Sequence, residues 1–349
     1  MDPNAYKKNL VNKFNKQEAI KKLKKEKFSR LVVSFYLFRK ISNTSALRDD
    51  LFLKFNDLNI KGRIYISKEG VNAQASVPKK NKLEFENYVK EIFDYKPLRF
   101  NYAITHNRYA FYKLTVKEKK ILSDGLNNVN MQNTGQHLDA SSWNKKAKEK
   151  NSFIIDMRNH YESEIGRFKN AYTPKSETFK EEMNELTRIL KNKTKKNILM
   201  YCTGGIRCEI ASSYFKEKGY DKVYQLEGGI INYFQQIKKD ESIENLFLGK
   251  NFVFDDRLGE DITSDIISFC HQCGEKSNSH VNCKNLSCNL LFIQCDNCNK
   301  KHQGCCSPKC LEVVKLPEVE QKKIRKGIKK GKTFHSHKRV DLRKEFKKY

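Results

Sequence analysis

One short run, residues 201–209 with the sequence YCTGGIRCE, restricts the possible folds of this chain more than any other segment. It follows an apolar stretch, 197–200, that is typical of a buried strand. It precedes a segment, 210–218, whose apolar residues are spaced as on one face of a helix. The pattern predicts an α/β domain in which Cys202 ends a strand and residues 203–207 form a loop that leads into a helix.

The composition of this loop predicts a reactive thiol. Its two glycines let the backbone curl so that successive N–H groups point inward. The loop residues that contribute this backbone are Thr203, Gly204, Gly205 and Ile206. The dipoles, the helix N-terminus and the Arg207 charge favour the thiolate, so we expect Cys202 to be an acidic nucleophile. The alternative is a buried structural cysteine, which accounts less well for two glycines and an arginine in one turn.

The spacing between Cys202 and Arg207 indicates which anion the loop can hold. Four residues separate them, whereas tyrosine and dual-specificity phosphatases place five there and hold a phosphate. The shorter loop fits one extra sulfur atom, as in a cysteine persulfide, and resembles the active loop of the rhodanese family. Segments 153–168 and 225–229 extend this resemblance over about 141–239. We interpret Asp156 and Arg158 as buried structural partners that orient the loop, not as catalysts.

Charge indicates a polyanionic partner. The 349 residues include 69 Lys and Arg against 41 Asp and Glu, a formal charge of +28. Residues 1–30 hold ten basic and three acidic side chains, and residues 317–349 hold thirteen and four, so these ends contribute +7 and +9. We expect such ends to be mobile and to suit a nucleic acid. The alternative is a Lys- and Asn-rich proteome in which many proteins are basic.

No segment is predicted to cross a membrane. The longest apolar run, 31–38, is interrupted by Ser34 and is far shorter than a membrane span. The basic N-terminus lacks the apolar core of a secretory signal. We therefore expect a cytoplasmic protein without a membrane partner, in which cysteines stay reduced and clusters of them bind metal.

Nine of the eleven cysteines lie between Cys270 and Cys310. Two C-x-x-C turns and the remaining thiols predict two four-cysteine sites for structural Zn²⁺. The first predicted set is Cys270, Cys273, Cys295 and Cys298. The second is Cys283, Cys288, Cys306 and Cys310. His271, His280 and His302 could substitute as ligands, and an Fe–S cluster or redox-active disulfides are the alternatives.

The N-terminal third predicts a small sheet domain. Strands at 31–38, 63–67, 71–77 and 98–104 alternate with helices at 45–58 and 80–93, and a further strand is predicted at 110–116. This βαββαβ order is that of a ferredoxin-like domain. Four aromatic residues could stack on nucleic-acid bases or fill the core: Phe35, Tyr36, Tyr65 and Tyr112.

Together these segments divide the chain into six parts. They are a basic extension (1–28), a ferredoxin-like domain (29–118), a linker (119–140), a rhodanese domain (141–240), a Cys-rich region with predicted zinc sites (241–316) and a basic tail (317–349).

Three segments give the chain a more specific resemblance. Residues 61–76, 249–259 and 270–274 resemble, in the same order, segments of the TrhO (YceA) family of bacterial tRNA wobble-uridine hydroxylases, and 293–295 and 304–310 also fit. The resemblance implies an oxidoreductase that converts the wobble uridine, in the tRNA anticodon, to 5-hydroxyuridine. O₂ would be the co-substrate. It places the family's essential cysteine at Cys202 and assigns no role to Cys208.

Three functions therefore compete: a tRNA hydroxylase, a sulfurtransferase that uses a Cys202 persulfide, and a binding module with an inactive rhodanese fold. The pair Cys202 and Arg207 argues against the third. The sequence shows no flavin or nicotinamide motif and does not identify the electron donor that hydroxylation with O₂ requires.

Overall fold

The computed structural model describes residues 10, 15–95, 98–120, 122, 129–326 and 342–347. The predicted linker and both basic ends lie partly outside these residues. The chain forms two compact units. The first comprises Met1–Met157, Thr178–Asn245 and Phe254–Arg257, and the second comprises Arg158–Glu177, Leu246–Val253 and Leu258–Tyr349.

The N-terminal part of the first unit is a five-stranded sheet with helices on one face. Its elements are α1 (Lys16–Lys24), β1 (Arg30–Phe38), α2 (Thr44–Asp57), β2 (Lys61–Ser67), β3 (Gly70–Pro78), α3 (Lys82–Ile92), β4 (Asn101–Tyr102) and β5 (Leu114–Glu118). The strand order is β4-β1-β3-β2-β5. This order confirms the ferredoxin-like domain with one added strand, β5, which runs parallel to β2.

Two predicted strands are shorter than expected. Only Asn101 and Tyr102 of 98–104 pair with β1, and β5 begins at Leu114 instead of residue 110. Ala110 and Phe111 instead pack with Val32 and Ala103 in a small buried cluster. Apolar residues in this segment were thus a sign of burial and not of strand pairing.

The two faces of the N-terminal sheet differ in character. Side chains alternate across a strand, so Phe35 of β1 is buried under the helices, where its ring contacts the ring of Phe85. The neighbours Ser34 and Tyr36 point to the opposite face and are half-buried. Burial in the core excludes Phe35 as a base-stacking residue.

A parallel sheet follows in the chain. The next elements are β6 (Gln136–Leu138), α4 (Ala140–Ala147), β7 (Ser152–Asp156), α5 (His160–Glu164), β8 (Gly166–Phe168), α6 (Phe179–Leu190), β9 (Asn197–Tyr201), α7 (Ile206–Glu217), β10 (Val223–Leu226) and α8 (Gly229–Lys239). Four strands pair in the order β6-β10-β9-β7. All five residues of the central strand β9 are buried, which confirms the predicted strand before Cys202.

The second unit contains α5, β8 and the Cys-rich region. Its later elements are β11 (Phe247–Asn251), β12 (Glu260–Asp261), β13 (His280–Asn282), β14 (Leu291–Ile293), α9 (Asp296–His302), α10 (Pro308–Lys315), α11 (Glu318–Arg325) and α12 (Leu342–Lys347). One sheet has the order β12-β11-β8, and β13 pairs with β14. Among the described residues, no helix is long and apolar enough to cross a membrane.

The described parts of the basic ends include helices with buried apolar residues, and the mobility of the ends stays a prediction. Helix α1 has a capping box between Asn15 and Glu18, and its Leu23 is buried. In α12, Leu342 is buried in a cluster with cysteines of the second unit. Within the described residues of the two ends, Leu23 and Leu342 are thus apolar contacts of lysine-rich helices.

Candidate active site

Cys202 lies at the C-terminal end of β9, where the chain leaves the parallel sheet. Gly205 precedes α7 with a φ of +105°, a conformation that glycine adopts without steric cost. The helix begins at Ile206, so Ile206 and Arg207 belong to its first turn. The loop is thus two residues shorter than predicted, because the left-handed Gly205 turns the chain directly into the helix.

The N-terminus of α8 holds the backbone of this loop. Ile230 N–H donates to the carbonyl of Cys202 at 3.0 Å, and Ile231 N–H donates to that of Thr203 at 3.2 Å. A Cβ atom on Gly229 would come within 2.5 Å of the Cys202 carbonyl oxygen. The close approach requires glycine at this position and fixes Cys202 between two helix N-termini.

The surroundings of Cys202 stabilise its thiolate. The side chain is buried, with 1% exposed, and burial alone would raise its pKa. A hydrogen bond from the Cys208 thiol, the Arg207 charge and the N–H groups of Gly205 and Cys208 outweigh burial and lower the pKa to about 6. The Gly205 nitrogen lies 3.1 Å from Cys202 Sγ. The thiolate is therefore the main form at neutral pH, and thiolates are the nucleophilic form of cysteine.

Arg207 and Cys208 follow the loop in the first turn of α7. The half-buried Arg207 guanidinium lies over the Phe254 ring, 6.0 Å from its centroid. Cys208 is fully buried, and burial together with its hydrogen bond to Cys202 raises the pKa of its thiol well above the usual value. The two cysteines thus form a thiolate–thiol pair.

A polar network continues along α7 from the half-buried Glu209. The Glu209 carboxylate accepts hydrogen bonds from Tyr36 Oη at 3.0 Å and Gln225 Nε2 at 2.9 Å, and His137 Nε2 lies 2.9 Å away. Burial would raise the pKa of Glu209, but the partners led by His137 lower it, so the carboxylate stays ionised. Burial and the Glu209 charge raise the pKa of Tyr36, which stays a hydrogen-bond donor.

The polar face of the N-terminal sheet covers the loop. Tyr36 Oη lies 2.7 Å from the position that a Cβ on Gly205 would take. Asn101 Nδ2 donates to the Gly204 carbonyl at 3.2 Å. In the strand register, Asn72 lies opposite Tyr36 and Gln74 lies opposite Ser34. The face above Cys202 is thus lined by amides and hydroxyls.

Asp156 and Arg158 are both buried, as expected for structural residues. Asp156 Oδ2 accepts a hydrogen bond of 2.6 Å from the hydroxyl of Tyr201, the residue before Cys202. Within the second unit, Arg158 donates to the Gly166 carbonyl at 2.6 Å and lies over the Phe247 ring. That the two residues orient the loop remains a prediction.

The Cys-rich region brings eight thiols into two groups. The first is Cys270, Cys273, Cys295 and Cys298, and the second is Cys283, Cys288, Cys306 and Cys310. In each group the sulfur atoms all lie within 4.8 Å of one another. These are the two sets that the spacing predicted.

The sulfur distances fit a single metal ion in each group. Cys273 and Cys295 are 3.6 Å apart, as are Cys288 and Cys306, and Cys306 and Cys310 are 3.7 Å apart. A tetrahedral ion with Zn–S bonds of about 2.3 Å would separate its ligands by about 3.8 Å. A disulfide would need about 2.05 Å, and all eleven cysteines are free. Both groups are therefore compatible with metal binding.

Sequence reasoning missed most of what surrounds the loop. It named Tyr36 only as a base-stacking candidate, and it gave no role to Asn101, His137, Glu209 or Gln225. One signal was available, because Glu209 is a charged residue within the motif, in the first turn of a helix whose neighbouring residues are apolar. Such a residue needs polar partners. Its partners are distant in the sequence and carry no motif.

Known proteins match the chain over almost its whole length. Three family models match in order: a UPF0176 acylphosphatase-like domain over residues 30–121, a rhodanese-like domain over 139–236, and a rhodanase C-terminal domain over 248–311. Acylphosphatase-like and rhodanese-like domains are the folds described above.

Several curated relatives share the name tRNA uridine(34) hydroxylase. The protein from Leptospira interrogans is 45% identical over 334 residues, covering 95% of this chain and 91% of the relative. Those from Pectobacterium carotovorum and Photorhabdus laumondii are 42% and 41% identical, with 92% of this chain and 92% of each relative covered.

Proposed function

The chain belongs to the tRNA uridine(34) hydroxylase family, and we propose that it uses O₂ to hydroxylate C5 of the wobble uridine of tRNA. The product is 5-hydroxyuridine, and the anticodon region of a cytoplasmic tRNA is the substrate. The observation that carries this proposal is the buried position of Cys202, whose Sγ lies 3.1 Å from the Gly205 nitrogen in a loop held by the N-terminus of α8. Such surroundings favour a thiolate, which is a nucleophile suited to a uracil ring.

The chemistry requires that C5 become electron-rich. Uracil is a conjugated ring in which C6 is electrophilic, so a thiolate that adds to C6 leaves an enolate with its negative charge on C5 and O4. Cys202 is suited to this addition because its lowered pKa keeps it ionised at neutral pH. Arg207 stabilises the thiolate before addition and again when it is released.

The polar sheet face above the loop supplies recognition of the base. The amides of Asn72, Gln74 and Asn101 can each donate and accept hydrogen bonds, which matches the O4 and N3–H groups of uracil. Cys202 is only 1% exposed, so the target base must leave the anticodon stack and enter beneath this face. Burial of the site keeps water from the enolate.

The overall reaction needs more than O₂. One oxygen atom goes to C5 and the other leaves as water, which consumes two electrons and two protons. The proposed function therefore requires an electron donor, and the names of the relatives do not identify one.

Zinc has a structural role in this proposal. Zn²⁺ would be held by Cys270, Cys273, Cys295 and Cys298 in one site and by Cys283, Cys288, Cys306 and Cys310 in the other. Four protein thiolates fill a tetrahedral ion and leave no open position for O₂, so such sites stabilise the fold rather than perform the chemistry.

The test uses purified protein, tRNA transcribed without modifications, ¹⁸O₂ and dithiothreitol, followed by mass spectrometry of nucleosides. The expected product is 5-hydroxyuridine with one ¹⁸O atom, and Cys202→Ser should give none while melting at the same temperature. A sulfurtransferase would instead give a thiolated nucleoside with a sulfur donor and no dependence on O₂. Full activity of Cys202→Ser would rule out the thiolate as nucleophile.

A further inference from the structure

A second thiol lies near the nucleophile, and the function proposed above gives it no chemical step of its own. Cys208 is fully buried in the first turn of α7. Its N–H donates to the Gly205 carbonyl at 2.9 Å, which holds the start of its side chain beside the loop. The same glycine donates its N–H to Cys202 Sγ at 3.1 Å, so Cys202 and Cys208 both contact Gly205, and each thiol shifts the pKa of the other.

The pair has the features of a redox dithiol. Both sulfur atoms are free and both are excluded from solvent. One is held as thiolate and the other as thiol, and this is the state from which thiol chemistry between two cysteines proceeds. Neither cysteine belongs to the eight that form the metal-compatible groups.

We propose that Cys208 supplies the electrons for hydroxylation, so that each turnover leaves a disulfide between Cys202 and Cys208. This inference rests on the hydroxylase function proposed above and names the missing donor. The immediate donor is the protein's own dithiol, and an external thiol then reduces the disulfide by exchange.

The steps balance in atoms and electrons. Cys202 thiolate adds to C6, and C5 takes up O₂ and a proton to become a hydroperoxide. The sulfur of Cys208 attacks the outer oxygen, the O–O bond breaks, and a C5 hydroxyl and a Cys208 sulfenic acid result.

Release follows from the same two sulfur atoms. Loss of the C5 proton expels the Cys202 thiolate from C6 and restores the double bond of 5-hydroxyuridine. Cys202 then attacks the sulfenic sulfur, forms the disulfide and releases hydroxide, which becomes water. In sum, uridine, O₂ and two thiols give 5-hydroxyuridine, water and one disulfide.

The experiment is a single turnover without reductant. The full-length, metal-loaded protein is reduced, desalted under argon, and mixed with unmodified tRNA and air-saturated buffer. We expect about one 5-hydroxyuridine and about one Cys202–Cys208 disulfide per chain, measured by nucleoside and peptide mass spectrometry. Without tRNA, the disulfide should not form on the same time scale.

Two substitutions of Cys208 separate electron supply from hydrogen bonding. Cys208→Ser keeps an O–H donor to Cys202, whereas Cys208→Ala removes it. If Cys208 only tunes the Cys202 thiolate, the serine variant stays active and the alanine variant does not. If Cys208 provides electrons, the single-turnover yield of 5-hydroxyuridine falls to the background level in both variants. Cys305→Ser is the control, because Cys305 is buried but lies outside both four-cysteine groups.

The outcomes also separate this inference from the proposed function. Product without a Cys202–Cys208 disulfide, or a full single-turnover yield from Cys208→Ser, overturns the role of Cys208 and leaves the hydroxylase intact. Absence of 5-hydroxyuridine from the wild-type protein even with added dithiothreitol overturns the hydroxylase itself.

Discussion

Tyr36 of β1 donates a hydrogen bond of 3.0 Å to the carboxylate of Glu209 in α7. This contact joins the polar face of the N-terminal sheet to the helix that begins at the reactive loop. Glu209 directly follows Cys208, so a shift of this carboxylate moves the turn that carries both Arg207 and Cys208. The N-terminal domain therefore helps to set the geometry of the thiolate.

Tyr36→Phe should weaken catalysis more than its small change in shape suggests. The ring stays, but the half-buried Glu209 carboxylate loses one of its donors, at a cost of about 1–2 kcal/mol in folding free energy. If the same amount is lost from the transition state, kcat/KM falls about tenfold. Steady-state kinetics and thermal unfolding on the same preparation measure both effects.

Tyr65→Phe is the matched control for this change. Tyr65 lies opposite Asn72 on the same sheet. The Lys119 ammonium group makes a cation–π contact with the Tyr65 ring, 5.0 Å from its centroid, and phenylalanine keeps this contact. Its kcat/KM should stay within about twofold of wild type. Equal losses from the two variants would show that the sheet face, and not the contact with Glu209, matters.

The pH dependence of activity should follow Cys202. Its pKa is lowered to about 6, so the thiolate is complete above neutral pH and is lost as the pH falls. We expect kcat/KM to be about half its plateau at pH 6 and roughly a tenth of it at pH 5. A profile that is flat between pH 5 and pH 8 would contradict an essential thiolate.

Arg207 identifies the group that titrates in this profile. The Arg207 charge is among the causes that lower the Cys202 pKa, so Arg207→Ala should move the acidic midpoint to higher pH. Arg207→Lys keeps the charge and should leave the midpoint nearly in place. An unchanged midpoint in Arg207→Ala would assign the titration to another group, such as His137, whose pKa is raised chiefly by its hydrogen bond with Glu209.

The reactive loop could be predicted from sequence because its chemistry is local. Cys202, the two glycines and Arg207 lie within six residues, and both neighbouring elements carry a periodic apolar pattern. The contact between Tyr36 and Glu209 spans 173 positions and depends on how two domains pack. No pattern within either segment encodes it. The only local sign that a partner was needed was an acidic residue, Glu209, in the first turn of the helix beside the predicted active cysteine.

Metal analysis should find about two zinc ions per chain. Cys273→Ser removes one ligand of the first group, in which Cys273 and Cys295 are 3.6 Å apart, so its zinc content should fall to about one. The variant should also unfold at a lower temperature, because ligand binding contributes to folding. Elemental analysis by mass spectrometry and a thermal melt give the two values.

Cys305→Ser provides the comparison for the zinc content. Cys305 is a buried cysteine beside the second group but not a member of it, so its replacement should leave about two zinc ions. Loss of zinc from this variant would mean that the ligand sets are wrong. If the protein instead contains iron and absorbs visible light, the cysteines bind an Fe–S cluster and not zinc. A metal-free, well-folded protein would show that the cysteine groups need no metal.

Charge alone predicted the basic ends but not their structure. A count of lysines does not reveal that Leu23 and Leu342 are buried. Deletion of these ends would therefore disrupt packing as well as charge. Substitution of exposed lysines by glutamine is the cleaner way to test their role in tRNA binding.

Neutralising these lysines should weaken tRNA binding and flatten its dependence on salt. The variant carries glutamine at five exposed positions of the basic ends: Lys21, Lys24, Lys25, Lys323 and Lys326. Each lost phosphate contact lowers the slope of log K against log salt by about 0.7–0.9, so the slope should drop by as much as about 4. The ratio of 5-hydroxyuridine to other products should not change, because lysine contacts to phosphate do not read the base.

An equal change of charge elsewhere tests whether the position of these lysines matters. Five exposed lysines of the rhodanese domain become glutamine in the control: Lys145, Lys150, Lys180, Lys191 and Lys195. If the basic ends contact the tRNA backbone, the control keeps the steeper slope, since only contacting charges release counterions. Binding titrations at several salt concentrations measure both variants. Equal slopes would mean that tRNA binding depends only on the net charge of +28. The basic ends would then have no specific role in binding.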